Sequence, residues 1–129
     1  ALASGISPSK IIVDPGHDLN KNTRHTLEIT NKFQAFADLG FPALAAVSNK
    51  DFIGETLDLP KAQRTLGSMV AATICAMNGA RILRMHNIPE SIQTVRLLEA
   101  TQGWREPAYQ IHNMGDVNPP AHPEREHSK

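Results

Sequence analysis

Three short polar clusters, each directly after a predicted β-strand, recur along this 129-residue chain. They are Asp14-Pro15-Gly16, Ser48-Asn49-Lys50 and Arg84-Met85-His86, and their first members are 34 and 36 residues apart. A parallel crossover needs about this length for a strand, a helix and two loops. Because the carboxyl ends of parallel strands share one edge, we expect the clusters to lie together. An aspartate, a lysine and an arginine–histidine pair there indicate a site for an anionic, hydrogen-bonding ligand.

The apolar patterns between the clusters predict alternating strands and helices. The predicted strands are residues 10–13, 43–47 and 80–85, and the predicted helices are residues 26–39, 65–78 and 89–101. Residues 48–55 are predicted to be a loop, with a short helical turn within residues 57–63. The strongest helical pattern places Leu66, Met69, Val70, Thr73, Ile74 and Met77 at i, i+3, i+4, i+7, i+8 and i+11.

The overall composition excludes several classes of partner. Thirteen basic and thirteen acidic residues give a formal net charge of zero, so the whole chain has no field that attracts nucleic acid or an anionic membrane. No apolar run approaches the roughly 20 residues of a membrane-spanning helix. The single cysteine, Cys75, cannot form an internal disulfide, which indicates a cytoplasmic protein. Its apolar helical surroundings predict an inert, buried thiol.

The last part of the chain has a different character. Residues 104–129 hold four of the nine prolines and no periodic apolar pattern, so we predict a flexible polar tail. His112, His122 and His127 lack the spacing of metal ligands, and we predict no metal site among them.

Each cluster also has a purely structural interpretation. Asp14 before Pro-Gly favours a turn for local reasons. A loop lysine such as Lys50 is normally solvated. Arg84 and His86 are two residues apart at the end of a strand, so their side chains share a face and can bind a phosphate. The residues alone therefore predict an α/β fragment with an edge that accepts anions.

The clusters and their surroundings resemble dihydropteroate synthase, in its C-terminal half, over about residues 5–103. The matching segments are Ile12-Val13-Asp14-Pro15-Gly16, Ser48-Asn49-Lys50-Asp51-Phe52-Ile53-Gly54, Gly67-Ser68 and Gly79-Ala80-Arg81-Ile82-Leu83-Arg84-Met85-His86. Members of this family fold as a TIM (β/α)8 barrel. The resemblance implies that residues 1–103 are the C-terminal three βα units of a pterin-binding barrel, followed by the disordered polar tail, residues 104–129.

Members of this family condense p-aminobenzoate with 6-hydroxymethyl-7,8-dihydropterin pyrophosphate, releasing pyrophosphate in the folate pathway. By resemblance, Asp14 and Lys50 bind the pterin, and Ser48 and Asn49 lie on the p-aminobenzoate side. A magnesium ion is expected on the substrate pyrophosphate, with its protein ligand outside this chain. The implied catalytic residues are Lys50, Arg84 and His86, of which the last two hold the pyrophosphate.

The chain departs from the family pattern in the charges near the expected ligand. Asp18 stands in a loop that is usually rich in glycine and phenylalanine, and Asn49 replaces an arginine. With Asp51, these changes remove one positive charge and add two negative ones. The variant resembles the second, divergent homologue of actinobacteria, which is considered to lack efficient synthase activity. We therefore predict weak or lost activity, the alternatives being a fully active enzyme or a non-catalytic binding or regulatory protein.

The resemblance also implies protein partners. Three βα units should not be stable alone, because strand edges and helix faces would be exposed. We expect the N-terminal barrel units to be supplied by another chain, or segments to be exchanged between copies. Because the family dimerises through C-terminal helices, residues 65–78 and 90–101 are the expected homodimer contact.

Overall fold

The structure, a computed structural model, describes residues 1–115 as helices around a short parallel sheet. The helices are α1 (Thr23–Asn31), α2 (Gln34–Ala37), α3 (Asp51–Leu57), α4 (Thr65–Met77) and α5 (Ile88–Thr101). The strands are β1 (Ala43–Ala45) and β2 (Ala80–Leu83), and short 3-10 helices cover Leu2–Ser4, Pro8–Lys10 and Lys61–Gln63. Residues 1–95 form one compact unit, and a second begins at Arg96. The predicted α/β class is confirmed, whereas the predicted tail extends beyond the described residues, which exclude His122 and His127.

The two strands lie parallel and carry two of the polar clusters. Ala43 pairs with Ala80, and the register shifts directly after Ala43. The Arg84 N–H donates to the Ala45 carbonyl at 3.0 Å, so pairing continues to the first residue of the third cluster. Both strands therefore end at the same edge.

The predicted first strand, residues 10–13, is much shorter than expected. Of these residues only Val13 pairs with β1, through an isolated parallel bridge. Its N–H donates to the Pro42 carbonyl at 3.0 Å, and its carbonyl accepts from the Leu44 N–H at 2.8 Å. Lys10 is instead the last residue of a 3-10 helix, Pro8–Lys10, whose first position suits proline because its ring fixes φ and its missing N–H is not needed there. Asp14 still follows the paired residue directly and so reaches the same edge.

The predicted helix at residues 26–39 is divided into α1 and α2. Helix α1 begins earlier than predicted because the Asn22 side chain accepts a hydrogen bond from the His25 N–H at 2.9 Å. The helix is interrupted before Phe33, whose side chain is fully buried. Gly40, with a φ of 84°, follows α2 and ends the helical segment, as predicted.

Residues 48–55, predicted to be a loop, contain most of helix α3, so that prediction was wrong. The residue before the helix provides no side-chain cap. Instead, the Asp18 carboxylate accepts a hydrogen bond from the Phe52 N–H at 3.1 Å. Because the first N–H groups of a helix lack intrahelical partners, this distant acceptor stabilises the first turn. Because the capping residue is 34 residues away in the sequence, no pattern near the start of α3 predicts this helix.

Helix α4 confirms the strongest helical prediction, residues 65–78, but its apolar stripe largely faces outward. Leu66, Val70 and Met77 are 78%, 54% and 59% exposed. The side that packs inward is built mainly from small residues. The buried residues of α4 are Ser68, Met69, Ala71, Ala72, Cys75 and Ala76, of which only Met69 belongs to the stripe. Small side chains let α4 pack closely on β2 and α1, which leaves the stripe uncovered in this chain.

The core lies between the sheet and helices α1, α3 and α4. Its buried residues are Phe33, Ala43, Ala45, Val47, Phe52, Ile53, Ala71, Ala72, Cys75 and Ala80. Cys75 is fully buried, and burial raises the pKa of its thiol to about 12. The predicted burial of the thiol is confirmed, and the raised pKa disfavours the reactive thiolate form. Within residues 1–115 the helices are too short or too polar to span a membrane.

Candidate functional site

The three clusters meet at one edge of the sheet, as the spacing predicts. The ammonium group of Lys50 lies close enough to the Asp14 carboxylate and the Arg84 guanidinium for both charges to affect its pKa. The third cluster is also tied to the second, because the His86 N–H donates to Ser48 Oγ at 3.1 Å. The structure thus brings together members of all three clusters, while their roles toward a ligand remain predictions.

Asp14 forms the local turn that its sequence suggested. One carboxylate oxygen accepts a hydrogen bond from the Gly16 N–H at 2.8 Å. Gly16 has a φ of 71°, a left-handed conformation that glycine adopts without steric cost. Asp14 itself is exposed. This geometry fixes the direction of an accessible carboxylate, so the structural and functional interpretations are compatible.

Lys50 is a partly buried lysine rather than a solvated one. Its Nζ donates to the His17 carbonyl at 2.7 Å. Burial is the main reason that its pKa is lowered, and Arg84 and Lys21 lower it further against the opposing carboxylates of Asp14 and Asp18. An ammonium group has three donors, so Lys50 can hold this bond and donate to a ligand.

Ser48 and Asn49 organise the edge through contacts within the chain. Ser48 is buried, and its hydroxyl accepts the hydrogen bond from the main chain of His86. The Asn49 N–H donates to Ser68 Oγ at 2.8 Å, and the same hydroxyl lies 3.2 Å from Asn49 Oδ1. Ser48 therefore links the segment after β1 to the segment after β2, and Asn49 links it to α4.

Arg84 and His86 expose their side chains next to this framework. Main-chain bonds hold both residues, Arg84 to β1 and His86 to Ser48. The following residue, Asn87, has a buried Oδ1 with no hydrogen-bond partner in the described structure. The Arg84 and His86 side chains are thus available at the edge for an anion.

His17, which the sequence analysis did not select, is fully buried beneath the edge. Its ring lies 6.2 Å from that of Phe33 and 5.9 Å from that of Phe52, and its Nε2 is 3.2 Å from Thr30 Oγ1. Burial, and secondarily the charge of Lys50, lowers the pKa of His17 to about 4. The ring is therefore neutral near pH 7. No local pattern distinguishes it from a loop histidine.

Arg64 was also missed, and Asp18 was recognised only as an extra charge. Asp18 caps α3 through Phe52, as described above. Arg64, at the start of α4, donates to the Asn49 carbonyl at 3.1 Å and to Asp51 Oδ1 at 2.9 Å. These two hydrogen bonds of Arg64 are long-range contacts to the residues on either side of Lys50. Arg64 thus places a cation beside the main chain of Asn49.

Comparison with known proteins establishes the family. The family model described as "Pterin binding enzyme" matches residues 1–86, which include all three clusters. The chain belongs to this family. "Inactive dihydropteroate synthase 2" of Mycobacterium tuberculosis is 33% identical over 114 residues, covering 88% of this chain and 36% of that protein. "Dihydropteroate synthase" of Escherichia coli is 34% identical over 103 residues, covering 80% of this chain and 36% of that protein.

The fold of this pterin-binding family member also matches a solved synthase. The crystal structure of Yersinia pestis dihydropteroate synthase superimposes with a TM-score of 0.76 at 33% identity, covering 79% of this chain and 48% of that one. The chain spans only about 36% of the length of the curated relatives it matches. The predicted resemblance is confirmed: the chain is a homologue of dihydropteroate synthase, and its relatives include proteins named dihydropteroate synthase and inactive dihydropteroate synthase 2.

Proposed function

We propose that this chain supplies the last three βα units of a pterin-binding (β/α)8 barrel whose synthase turnover is weak or lost. The observation that carries the proposal is the partly buried Lys50, whose Nζ is held by the His17 carbonyl at the strand edge that also carries Asp14 and Arg84. The E. coli relative supports the pterin site, and the M. tuberculosis relative named as inactive supports the loss of turnover.

In this proposal the site divides into a pterin side and a pyrophosphate side. Asp14 accepts hydrogen bonds from pterin N–H groups, and Lys50 donates to the pterin carbonyl and a ring nitrogen. Arg84 and His86 bind the pyrophosphate. The p-aminobenzoate nitrogen attacks the methylene carbon of the pterin, and the bond from that carbon to the pyrophosphate oxygen breaks with its electron pair leaving on pyrophosphate. The new C–N bond leaves a proton on the nitrogen, which passes to pyrophosphate or water. Fixed cations stabilise the charge that develops there.

The p-aminobenzoate is assigned to the side of Ser48 and Asn49. Their hydroxyl and amide groups already bond to His86 and Ser68. We therefore infer that these two residues act by shaping the wall on which p-aminobenzoate lies.

The proposed weakness of the enzyme follows from the charge of Asp18. This carboxylate lies near enough to Lys50 to oppose the lowering of its pKa, so it partly neutralises the ammonium group. The position that is arginine in the family is Asn49, which contributes no charge. An anionic pyrophosphate substrate therefore meets a less positive edge.

Replacing Asp18 by asparagine should tighten binding of the pterin pyrophosphate. Asparagine keeps an oxygen that can accept the Phe52 N–H, while the negative charge is removed. A single charge near a binding site at the protein surface contributes on the order of 1 kcal/mol, which corresponds to about fivefold in affinity. The measurement is calorimetric titration of the complete protein.

The matched control for Asp18→Asn is Asp58→Asn. Asp58 is exposed at the end of α3, with a φ of 54° that asparagine also tolerates. Its replacement should leave the affinity unchanged. Equal affinities of the Asp18→Asn variant and the unaltered protein would contradict the electrostatic explanation.

The same titration tests the proposed function itself. The complete protein should bind 6-hydroxymethyl-7,8-dihydropterin pyrophosphate, more weakly than E. coli dihydropteroate synthase in the same buffer. Absence of binding would overturn the pterin site. It would favour the second candidate, a non-catalytic binding or regulatory protein, which the name of the inactive relative supports.

The remaining parts of the proposal concern the rest of the protein. We propose that the other barrel units complete the sheet beside β1 and β2 and that the protein is cytoplasmic. Support for the additional barrel units comes from the short two-stranded sheet and from the fraction of each relative that this chain spans.

We also propose a homodimer that uses the exposed stripe of α4. Val70→Asp places a charge within the stripe, where Leu66, Ile74 and Met77 are also exposed. If the stripe is the contact, the variant should be monomeric in light scattering while the unaltered complete protein is dimeric. Ala62→Asp, at an exposed position outside α4, is the control and should leave the dimer intact. A dimeric Val70→Asp protein would contradict this contact.

Magnesium is proposed as a companion of the substrate pyrophosphate. Within residues 1–115, no group of three or more His, Cys, Asp or Glu side chains is placed to hold a metal ion. The two acids at the edge are engaged with main-chain N–H groups, Asp14 with Gly16 and Asp18 with Phe52. One oxygen of each carboxylate is therefore occupied, and the described residues offer no preformed set of three side-chain ligands for magnesium. We propose that the ion binds the pyrophosphate with help from residues outside this chain.

A further inference from the structure

Arg64 connects three points of the chain on both sides of Lys50. Its side chain is only 13% exposed. The Nε donates to the Leu59 carbonyl at 3.1 Å. The Nη1 donates to the Asn49 carbonyl at 3.1 Å and to Asp51 Oδ1 at 2.9 Å. A single planar guanidinium group therefore holds the residue before Lys50 and the residue after it.

Gly54 provides the space that this guanidinium occupies. A Cβ atom built on Gly54 would lie 2.2 Å from Cζ of Arg64, far inside van der Waals contact. The guanidinium group thus lies directly on the backbone of α3. Its position is fixed by the shape of the helix surface as well as by hydrogen bonds.

The turn at Asn49 is also held from its other side by α4. The Ser68 hydroxyl accepts the Asn49 N–H at 2.8 Å and lies 2.7 Å from the Arg64 carbonyl. Asn49 has a φ of 57°, a left-handed conformation that asparagine tolerates better than most residues. Because this residue directly precedes Lys50, its fixed conformation determines the direction in which the lysine leaves the backbone.

We propose that Arg64 is a positioning residue that directs Lys50 toward the sheet edge by holding Asn49 and Asp51. Held in this way, the ammonium group reaches the His17 carbonyl and stays partly shielded from water. A lysine at position 64 could not do the same, because a single ammonium group cannot reproduce the planar fork of donors. The importance of this arrangement for pterin binding rests on the proposed function, but its effect on Lys50 does not.

The test is therefore a titration of Lys50 without any ligand. Lysines of the complete protein are methylated reductively with ¹³C and followed by NMR, and Lys50→Arg identifies the signal. Arg64→Gln removes the charged, planar guanidinium fork, whereas Gly54→Ala displaces the guanidinium and keeps its charge. In both variants the pKa of Lys50 should move upward, toward that of an exposed lysine, because burial is the main cause of its lowering.

Two features keep this test decisive. Gly54→Ala moves the flexible end of one side chain, and alanine favours a helix over glycine, so this variant should fold. Arg24→Gln, at an exposed arginine of α1, is the control and should leave the titration unchanged. An unchanged or lowered pKa of Lys50 in either folded variant would overturn the proposal. That outcome would leave the proposed pterin site untouched, since failure of the pterin site would appear only in the ligand titration.

Discussion

Lys50→Ala should reduce the affinity of the complete protein for the pterin pyrophosphate by about 100-fold. The change removes the ammonium donor and leaves the carboxylates of Asp14 and Asp18 without their neighbouring cation. A hydrogen bond from a charged group contributes about 1.5–3 kcal/mol, and two such bonds to the pterin exceed the roughly 2.7 kcal/mol of a 100-fold change. Calorimetric titration measures the loss directly.

Lys61→Ala is the matched control for this experiment. Lys61 is an exposed lysine in the 3-10 helix before α4, and its removal should leave the affinity within a factor of two, as is usual for a surface change. Retention of full affinity by Lys50→Ala would show that the ligand binds elsewhere. It would remove the observation on which the proposed function depends.

The second large effect is a loss of stability in mild acid that depends on His17. The folded protein holds the pKa of this buried ring at about 4, below its value of 6.5 in an unfolded chain. The unfolded state therefore binds a proton first as the pH falls. The stability that the neutral His17 ring contributes to the folded protein is complete above pH 6.5 and is lost as the pH falls from 6.5 to 4. Between pH 7 and 5 the free energy of unfolding should fall by about 2 kcal/mol.

Urea unfolding of the complete protein at the two pH values measures this loss. His17→Phe keeps an aromatic ring against Phe33 and Phe52 but cannot bind a proton, so its stability should change much less over the same range. His25→Phe alters an exposed histidine of α1 and should retain the acid sensitivity. An equal loss in the His17→Phe protein would assign the sensitivity to other groups.

Sequence alone predicted the elements whose signals are local. The periodicity of residues 65–78 located α4, and Gly40 marked the end of a helical segment. The even spacing of polar clusters after strands predicted the shared edge to which Asp14 and Lys50 belong. In each case the predictive feature is either a pattern within a few residues or a regular spacing between motifs, and both can be read from a single sequence.

The features that were missed depend on contacts between distant residues. Helix α3 takes its cap from Asp18, and the turn before Lys50 is held by Arg64, so neither has a signature near its own position. The face of α4 was ambiguous because both sides are apolar, and packing selected the small residues over the larger stripe. His17 became a buried residue only when Phe33 and Phe52 enclosed it. Tertiary contact, rather than local propensity, determines all of these.

Pyrophosphate release by the complete protein is the most direct test of the central claim. The protein would be supplied with 6-hydroxymethyl-7,8-dihydropterin pyrophosphate, p-aminobenzoate and magnesium, with E. coli dihydropteroate synthase as the positive control and Lys50→Ala as the negative one. We expect release at least about 100-fold slower than by the E. coli enzyme, equivalent to a barrier roughly 2.7 kcal/mol higher. Release at a comparable rate, abolished by Lys50→Ala, would contradict the claim and show a working synthase in which Asp18 and Asn49 are tolerated.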